Sequence, residues 1–246
     1  FAWMVPPKRP MDDMKLSFDA PQEDEFAPLL MTLCSPYLGI SFPKRFDHYT
    51  RYLTFRGVNE DEIQHWKQAF IVFVKKLLLK KPGTPLLKSP PHTARIPLLL
   101  EMFPKAKFVH IHRDPYRVFQ SQRHYFDTAV WYTYLQKPNL ATIDDGILSR
   151  YVQMYDAYFE DVKQIPNDRI VEIRFADLER DPVDVVRQIY THLSLDRFES
   201  LRPKLEDYVT SLSGYRKNEF SPLDAATKQR VGERWRRSFQ TWGYDL

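Results

Sequence analysis

The stretch that most constrains this chain runs from Leu86 to Gln122, LLKSPPHTARIPLLLEMFPKAKFVHIHRDPYRVFQSQ. Its pattern predicts strand, helix, strand, helix, with polar residues after each strand. Leu86-Leu87 reads as a short buried strand followed by Lys88-Ser89-Pro90-Pro91-His92. Lys107 to His112 reads as a second strand followed by Arg113-Asp114-Pro115, with Ser121 eight residues past the arginine. In an open α/β sheet, ligands bind outside the carboxyl ends of the strands. Mostly cationic residues stand at those ends, so the expected ligand is an anion.

The flanking segments extend the alternation. Gln22 to Leu38 reads as a helix with Glu23, Asp24 and Glu25 in its first turn, where the helix dipole favours acids. Glu60 to Lys80 is a long amphipathic helix with Ile63, Trp66, Phe70, Phe73, Val74 and Leu77 at spacings of three and four. Ala94 to Phe103 is helical. Asp114 caps a helix that has Pro115 at its first position and runs to about Ala129. Ile143 to Ile165 is another long helix, Ile170 to Phe175 a third strand, and Asp181-Pro182 opens a helix through Leu193. Alternating strands and helices imply an α/β fold with a parallel, three-layer sheet. Residues 1–22 are Pro-rich and irregular, as in an ordered loop or lid. No repeat breaks the chain, and one domain over residues 1–246 is expected.

Composition narrows the function classes. Hydrophobic residues make up 43% of the 246, enough for a core, and a net charge of +4 is modest. The single cysteine, Cys34, excludes an internal disulfide and any multi-cysteine metal site, and fits a reducing compartment. No apolar run is long enough to span a membrane, and the opening FAWMVPPKRPMDDM is not a signal peptide. A cytoplasmic protein is the expectation. The basic, aromatic run KQRVGERWRRSFQ fits an amphipathic helix, with Trp235 and Phe239 inward, better than a nucleic-acid surface.

The candidate site residues follow from position and chemistry. Arg113 offers a planar fork of donors suited to phosphate or carboxylate, and Ser121, on the helical face of Arg117, adds a hydroxyl. A local ion pair for Arg113 and close helix packing at Ser121 explain the same pattern. Lys88 would point its ammonium into the same crevice and stabilise charge on a leaving phosphate, or simply reach the surface. Deprotonating an acceptor needs a carboxylate or imidazole within hydrogen-bond reach, which Glu23-Asp24-Glu25 can supply. His92, His110 and His112 lack the three or four converging ligands of a metal site, so buried, hydrogen-bonded histidines are expected.

These residues resemble a known family. The run KSPPHTARIPLLLEMFPKAKFVHIHRDPYRVFQS is similar to the nucleotide-binding core of sulfotransferases that use 3′-phosphoadenosine 5′-phosphosulfate, in the bacterial branch related to tyrosylprotein sulfotransferases. KRPMDDMKLSFDAPQEDEFA before it, IRFADLERDP after it and the closing WRRSFQTWGY extend the resemblance over most of the chain. The resemblance implies a sheet of the P-loop nucleoside triphosphate hydrolase type. It implies that Arg113 and Ser121 hold the 3′-phosphate and that Lys88 lies near the 5′-phosphosulfate. Glu23 or Glu25 matches the carboxylate base, and His92 competes for that role. Phe175 stands where relatives carry a tyrosine near the adenine, and Lys217 and Asn218 match late cofactor contacts.

One departure stands out. The family's phosphate-binding loop, similar to P-R-S/T-G-T-T, is missing, and no two of the seven glycines lie within ten residues. With Phe1 rather than Met at the start, the expectation is an N-terminally truncated domain that binds the donor weakly and does not turn over alone. The implied reaction passes a sulfuryl group to a hydroxyl or amine acceptor without a metal. A P-loop-fold small-molecule kinase and a non-catalytic nucleotide-binding or interaction module are the rival readings.

Overall fold

The computed structural model describes residues 8–12, 14–15 and 20–246. Most of the segment expected as a loop or lid over residues 1–22 lies outside them. The chain divides into two compact units: residues 1–104 with 121–162, and residues 105–120 with 163–246.

The first unit is helical. It holds α1 (Phe26–Thr32), α2 (Leu38–Ser41), α3 (Phe46–Thr50), α4 (Glu60–Lys80) and α5 (Ile96–Met102). It also takes α6 (Pro115–Thr128) from Ser121 onward, and α7 (Ile143–Asp161). α4 has the bounds its pattern predicts. Asn59 accepts a hydrogen bond from the Asp61 N–H, and three acidic residues fill the first turn. Its apolar face buries Trp66, Phe70 and Val74 at spacings of four, and the Trp66 and Phe70 rings stack at 5.2 Å. Leu53, Ala94 and Ala157 form a second patch of this core, with Met154 packed against it.

The second unit carries the sheet. β1 (Phe108–His112) pairs in parallel with β2 (Ile170–Arg174), Phe108 opposite Ile170 and His112 opposite Arg174. α6 begins in this unit, with the Arg117 N–H donating to Asp114 Oδ1 at 3.0 Å as the cap signal predicts. α8 (Phe175–Arg180), α9 (Pro182–His192), α10 (Phe198–Ser211), α11 (Ala225–Arg234) and α12 (Arg236–Trp242) follow. Asp181 caps α9 through the Asp184 N–H. Trp235 and Phe239 are buried, packed against Phe119 and Tyr116 from α6. Gly232 lets the two helices approach closely there, since a Cβ would stand 3.0 Å from the Tyr116 hydroxyl.

The α/β class is as expected, but two elements differ. Leu86-Leu87 is not a strand: Leu86 is 95% exposed and no backbone pairs with it. Pro85 and Pro90 leave only four residues between them, so two leucines alone do not build a ladder. The first helix begins at Phe26 rather than Gln22 and stops at Thr32, where Leu33 turns left-handed at φ 60°. Glu23-Asp24-Glu25 therefore precede α1, with other partners for their charges.

Candidate active site

Those partners form a ladder within the first unit. Three consecutive carboxylates meet three bases from the segment 88–95. The Lys88 ammonium donates to Glu23 Oε1. His92 Nε2 is 2.5 Å from Asp24 Oδ2. Arg95 donates from both terminal nitrogens to the two oxygens of Glu25, at 2.6 and 3.0 Å. Ser89 ties the strips together, its hydroxyl accepting from the Glu25 N–H at 2.9 Å and donating to Asp24 at 3.2 Å. Pro90 and Pro91 start a short 3₁₀ turn over Pro90–Ala94, which spaces the three bases against the acids.

Burial grades steeply along the ladder. The Glu25 and Arg95 side chains are fully buried. Ser35 donates a further hydrogen bond to Glu25, the Tyr52 carbonyl accepts from Arg95, and the rings of Phe55 and Trp66 lie within 5.0 Å of its guanidinium carbon. Glu25 thus has no oxygen free for an acceptor. His92 is largely covered, with Nε2 on Asp24 and Nδ1 buried without a hydrogen-bond partner. Burial works to raise the Asp24 carboxyl, but its hydrogen bond and charge contact with His92 outweigh it and hold the pKa below the usual value. At the outer end the Lys88 side chain is 74% exposed and Glu23 27%. Tyr37 donates its hydroxyl to Glu23 Oε2. Burial and then that hydrogen bond push the Tyr37 phenol far above its usual range.

The remaining expected residues are placed as follows. Arg113 leaves the end of β1 in the second unit, its guanidinium 4.6 Å over the ring of Phe175, which opens α8. Ser121 is half-buried on α6 in the first unit. Lys217 is exposed and paired with Glu179 at 2.7 Å. His110 and His112 share the buried face of β1, as expected. His110 Nδ1 lies 3.3 Å from Glu172, and His112 Nδ1 lies 2.9 Å from the Tyr244 hydroxyl. The His112 ring stacks on Trp242 at 4.9 Å. Burial, with His110 beside it, pulls the His112 pKa down to about 4. Among the described residues no cluster of three or more His, Cys, Asp or Glu is placed to hold a metal ion.

Among the aromatic residues of the first unit, Tyr52 and Phe55 pack into the core. Phe126, Trp131 and Tyr134 instead line a cleft of about 270 Å³ with Arg123, Asp127, Leu140 and Ile143. Sequence reasoning gave no role to Tyr37, Ser89 and Arg95, and offered Asp24 only as one of three carboxylates able to act as base. No local pattern joins them, since the acids at 23–25 and the bases at 88, 92 and 95 lie far apart in the chain.

Comparison with known proteins gives the family. The model of the sulfotransferase family matches residues 14–200. This chain belongs to the sulfotransferase family. It is 37% identical over 243 residues to omega-hydroxy-beta-dihydromenaquinone-9 sulfotransferase Stf3 of Mycobacterium tuberculosis, and equally to that of Mycobacterium bovis. The match takes in 99% of this chain and 62% of those relatives' length. The crystal structure of sulfotransferase STF9 from Mycobacterium avium shares the fold, with a TM-score of 0.69 at 17% identity over 92% of this chain and 57% of that one. No helix among the described residues is long and apolar enough to cross a membrane.

Proposed function

We propose that this chain carries the transfer chemistry of a sulfotransferase, moving the sulfuryl group of 3′-phosphoadenosine 5′-phosphosulfate to an acceptor hydroxyl. The observation that carries the reading is the Glu23–Lys88 pair, the one rung of the ladder open to solvent. Glu23 is the base and Lys88 the cation for the leaving group. The acceptor oxygen attacks sulfur, an O–S bond forms, and the bond from sulfur to the 5′-phosphate oxygen breaks. The proton goes to Glu23, and Lys88 leaves Glu23 to meet the charge that develops on the departing phosphate. Glu25 and His92, whose hydrogen-bonding groups are taken up or sealed, hold Glu23 and Lys88 in register instead.

Arg113 and Ser121 are proposed for the 3′-phosphate and Phe175 for the adenine, on their residue types and spacing. The Arg113 guanidinium over the Phe175 ring supports a role in which one face of each remains for the nucleotide. Lys217 is proposed as a further contact. The reading includes a three-layer sheet of the P-loop type to which β1 and β2 belong, and a cytoplasmic location. The relatives' name specifies a hydroxylated dihydromenaquinone. An apolar, hydroxyl-bearing acceptor is proposed for this chain too, supported by the cleft lined by Phe126, Trp131 and Leu140.

Titration calorimetry of the natural full-length protein with 3′-phosphoadenosine 5′-phosphate tests the donor, with Arg113→Ala as the control. Binding that Arg113→Ala weakens at least tenfold is expected; equal binding by both proteins overturns the donor assignment. Glu23→Gln is expected to lower turnover ~10²–10⁴-fold with nucleotide affinity retained, and full activity in that variant overturns the base.

A further inference from the structure

Arg150, on α7, is unlike the other arginines around it. In the same unit Arg51 pairs with Glu62, Arg56 with Glu160 and Asp161, Arg95 with Glu25, and Arg123 with Asp127 and Asp144. Arg150 is half-buried, yet among the described residues no carboxylate lies within ion-pair distance of it. Its one hydrogen-bond acceptor is Gln122 Oε1, at a long 3.4 Å from Nη2, and its guanidinium carbon stands 5.6 Å from the Phe126 ring. A guanidinium has five N–H donors and keeps its charge in proteins. Most of that donor capacity has no partner among the described side chains, which leaves a half-buried fork able to take an anion.

The surroundings of Arg150 belong to the reaction site. Its charge acts on the phenols of Tyr37 and Tyr125, and burial lowers its own pKa. Tyr37 donates to Glu23, and the charge of Glu23 in turn acts on Tyr125. Arg150 is therefore within electrostatic reach of Tyr37, the phenol that donates to the carboxylate proposed as base. Phe126, under its guanidinium, also lines the apolar cleft. A fork of donors beside the cleft proposed for the acceptor is placed to meet the group that arrives on it.

We propose that Arg150 is an oxyanion-binding residue that takes the sulfuryl oxygens as they pass to the acceptor, and hence the sulfate ester of the product. This rests on the reading of Glu23 as the base. As the acceptor O–S bond forms and the bond from sulfur to the 5′-phosphate oxygen breaks, negative charge stays spread over the sulfuryl oxygens. Arg150 donates N–H bonds to them and neither gains nor loses a proton; the acceptor's proton goes to Glu23. An anionic group on the acceptor itself would offer the same chemistry, and a neutral acceptor separates the two.

The test uses the full-length protein with inorganic sulfate as the binding probe and a neutral long-chain primary alcohol as acceptor. Arg150→Met is expected to weaken sulfate binding at least tenfold and to lower kcat ~10²-fold. The affinity for 3′-phosphoadenosine 5′-phosphate should stay within twofold, and added guanidinium ion should restore part of the rate. Unchanged sulfate binding in Arg150→Met overturns the proposal, as does a loss of kcat with the neutral alcohol of less than twofold. Should Arg150→Met unfold, Arg150→Lys keeps the charge and loses the fork, and the same two readouts decide. Full activity in Glu23→Gln with weakened sulfate binding in Arg150→Met would remove the base and leave the anion site standing. The reverse pair of results would remove only Arg150.

Discussion

The acid–base ladder of the first unit and the histidine cluster of the second solve the same problem in opposite ways. Both bury titratable side chains, the ladder at its inner rungs and the cluster on the covered face of β1. The ladder pairs every carboxylate with a base: Glu23 with Lys88, Asp24 with His92, Glu25 with Arg95. The cluster around His112 keeps its ring neutral, stacked on Trp242 and hydrogen-bonded to the Tyr244 hydroxyl. A buried charge needs a partner, and loss of that partner is costly. A buried neutral imidazole needs only one neutral hydrogen bond and an apolar face. Charge available for chemistry is thus found on the ladder and not on β1, although β1 has the more conspicuous histidines.

The largest expected effect comes from breaking the ladder at its sealed end. Arg95→Met leaves the fully buried Glu25 carboxyl without its basic partner, and should lower unfolding stability by about 3–5 kcal/mol. Denaturant titration measures it. The double variant Arg95→Met/Glu25→Leu should recover much of the loss, because an apolar pair of similar volume often replaces a buried ion pair at little cost. If the single variant is as stable as the natural protein, the view of the ladder as paired charge is wrong.

The second effect tests the neutral cluster by pH. The ordinary histidine pKa is 6.5 and that of His112 is about 4, so the unfolded chain binds the proton more readily. The stability contributed by neutral His112 is complete above pH 6.5. It is lost as pH falls through 6.5 towards 4, by about 3 kcal/mol in all at about 1.4 kcal/mol per pH unit. Carboxylates titrate at the lower end of that window, so the comparison is with His112→Asn, which should lack this part of the slope. An identical pH dependence in the two proteins would show that His112 is not held neutral by the fold.

The contrast between the regions also explains which parts of the molecule were legible in the sequence. α4, α6 and α9 were readable because caps and apolar spacing are local: Asn59, Asp114 and Asp181 each act within three residues. The inward face of β1 was readable from its period of two, which put His110 and His112 together. The ladder was not, because its rungs join residues 65, 68 and 70 apart, and no local pattern reports such pairing. The helix dipole offered a sufficient local reason for the acids at 23–25, and the tertiary partners overrode it. Leu86-Leu87 failed for the converse reason: two apolar residues suggested a strand, and the neighbouring prolines left little to pair with.

A third and smaller effect probes what keeps His112 neutral. Tyr244→Phe removes one neutral hydrogen bond, at 2.9 Å from Nδ1, and leaves the Trp242 stack in place. The cost should be about 1 kcal/mol, well below that of Arg95→Met. With Tyr244 donating, its loss removes an interaction made only by neutral histidine. The His112 pKa, followed by NMR titration, should then rise from about 4 towards the ordinary value. A fall instead would mean that the ring donates to the tyrosine.

The smallest expected effect on stability lies at the open end of the ladder and sharpens its internal gradient. Lys88 pairs with Glu23 as Arg95 pairs with Glu25, but its side chain is 74% exposed. Water screens the pair, and an exposed ion pair contributes little to folding. Lys88→Ala should therefore shift unfolding stability by no more than about 0.5 kcal/mol. Turnover, in contrast, should fall sharply, because the ammonium is proposed to meet charge that exists only as the sulfuryl group leaves. Measuring both quantities on the same preparation separates the two roles. A stability loss approaching that of Arg95→Met would make Lys88 another structural rung, and the division between the sealed and the open end would fail.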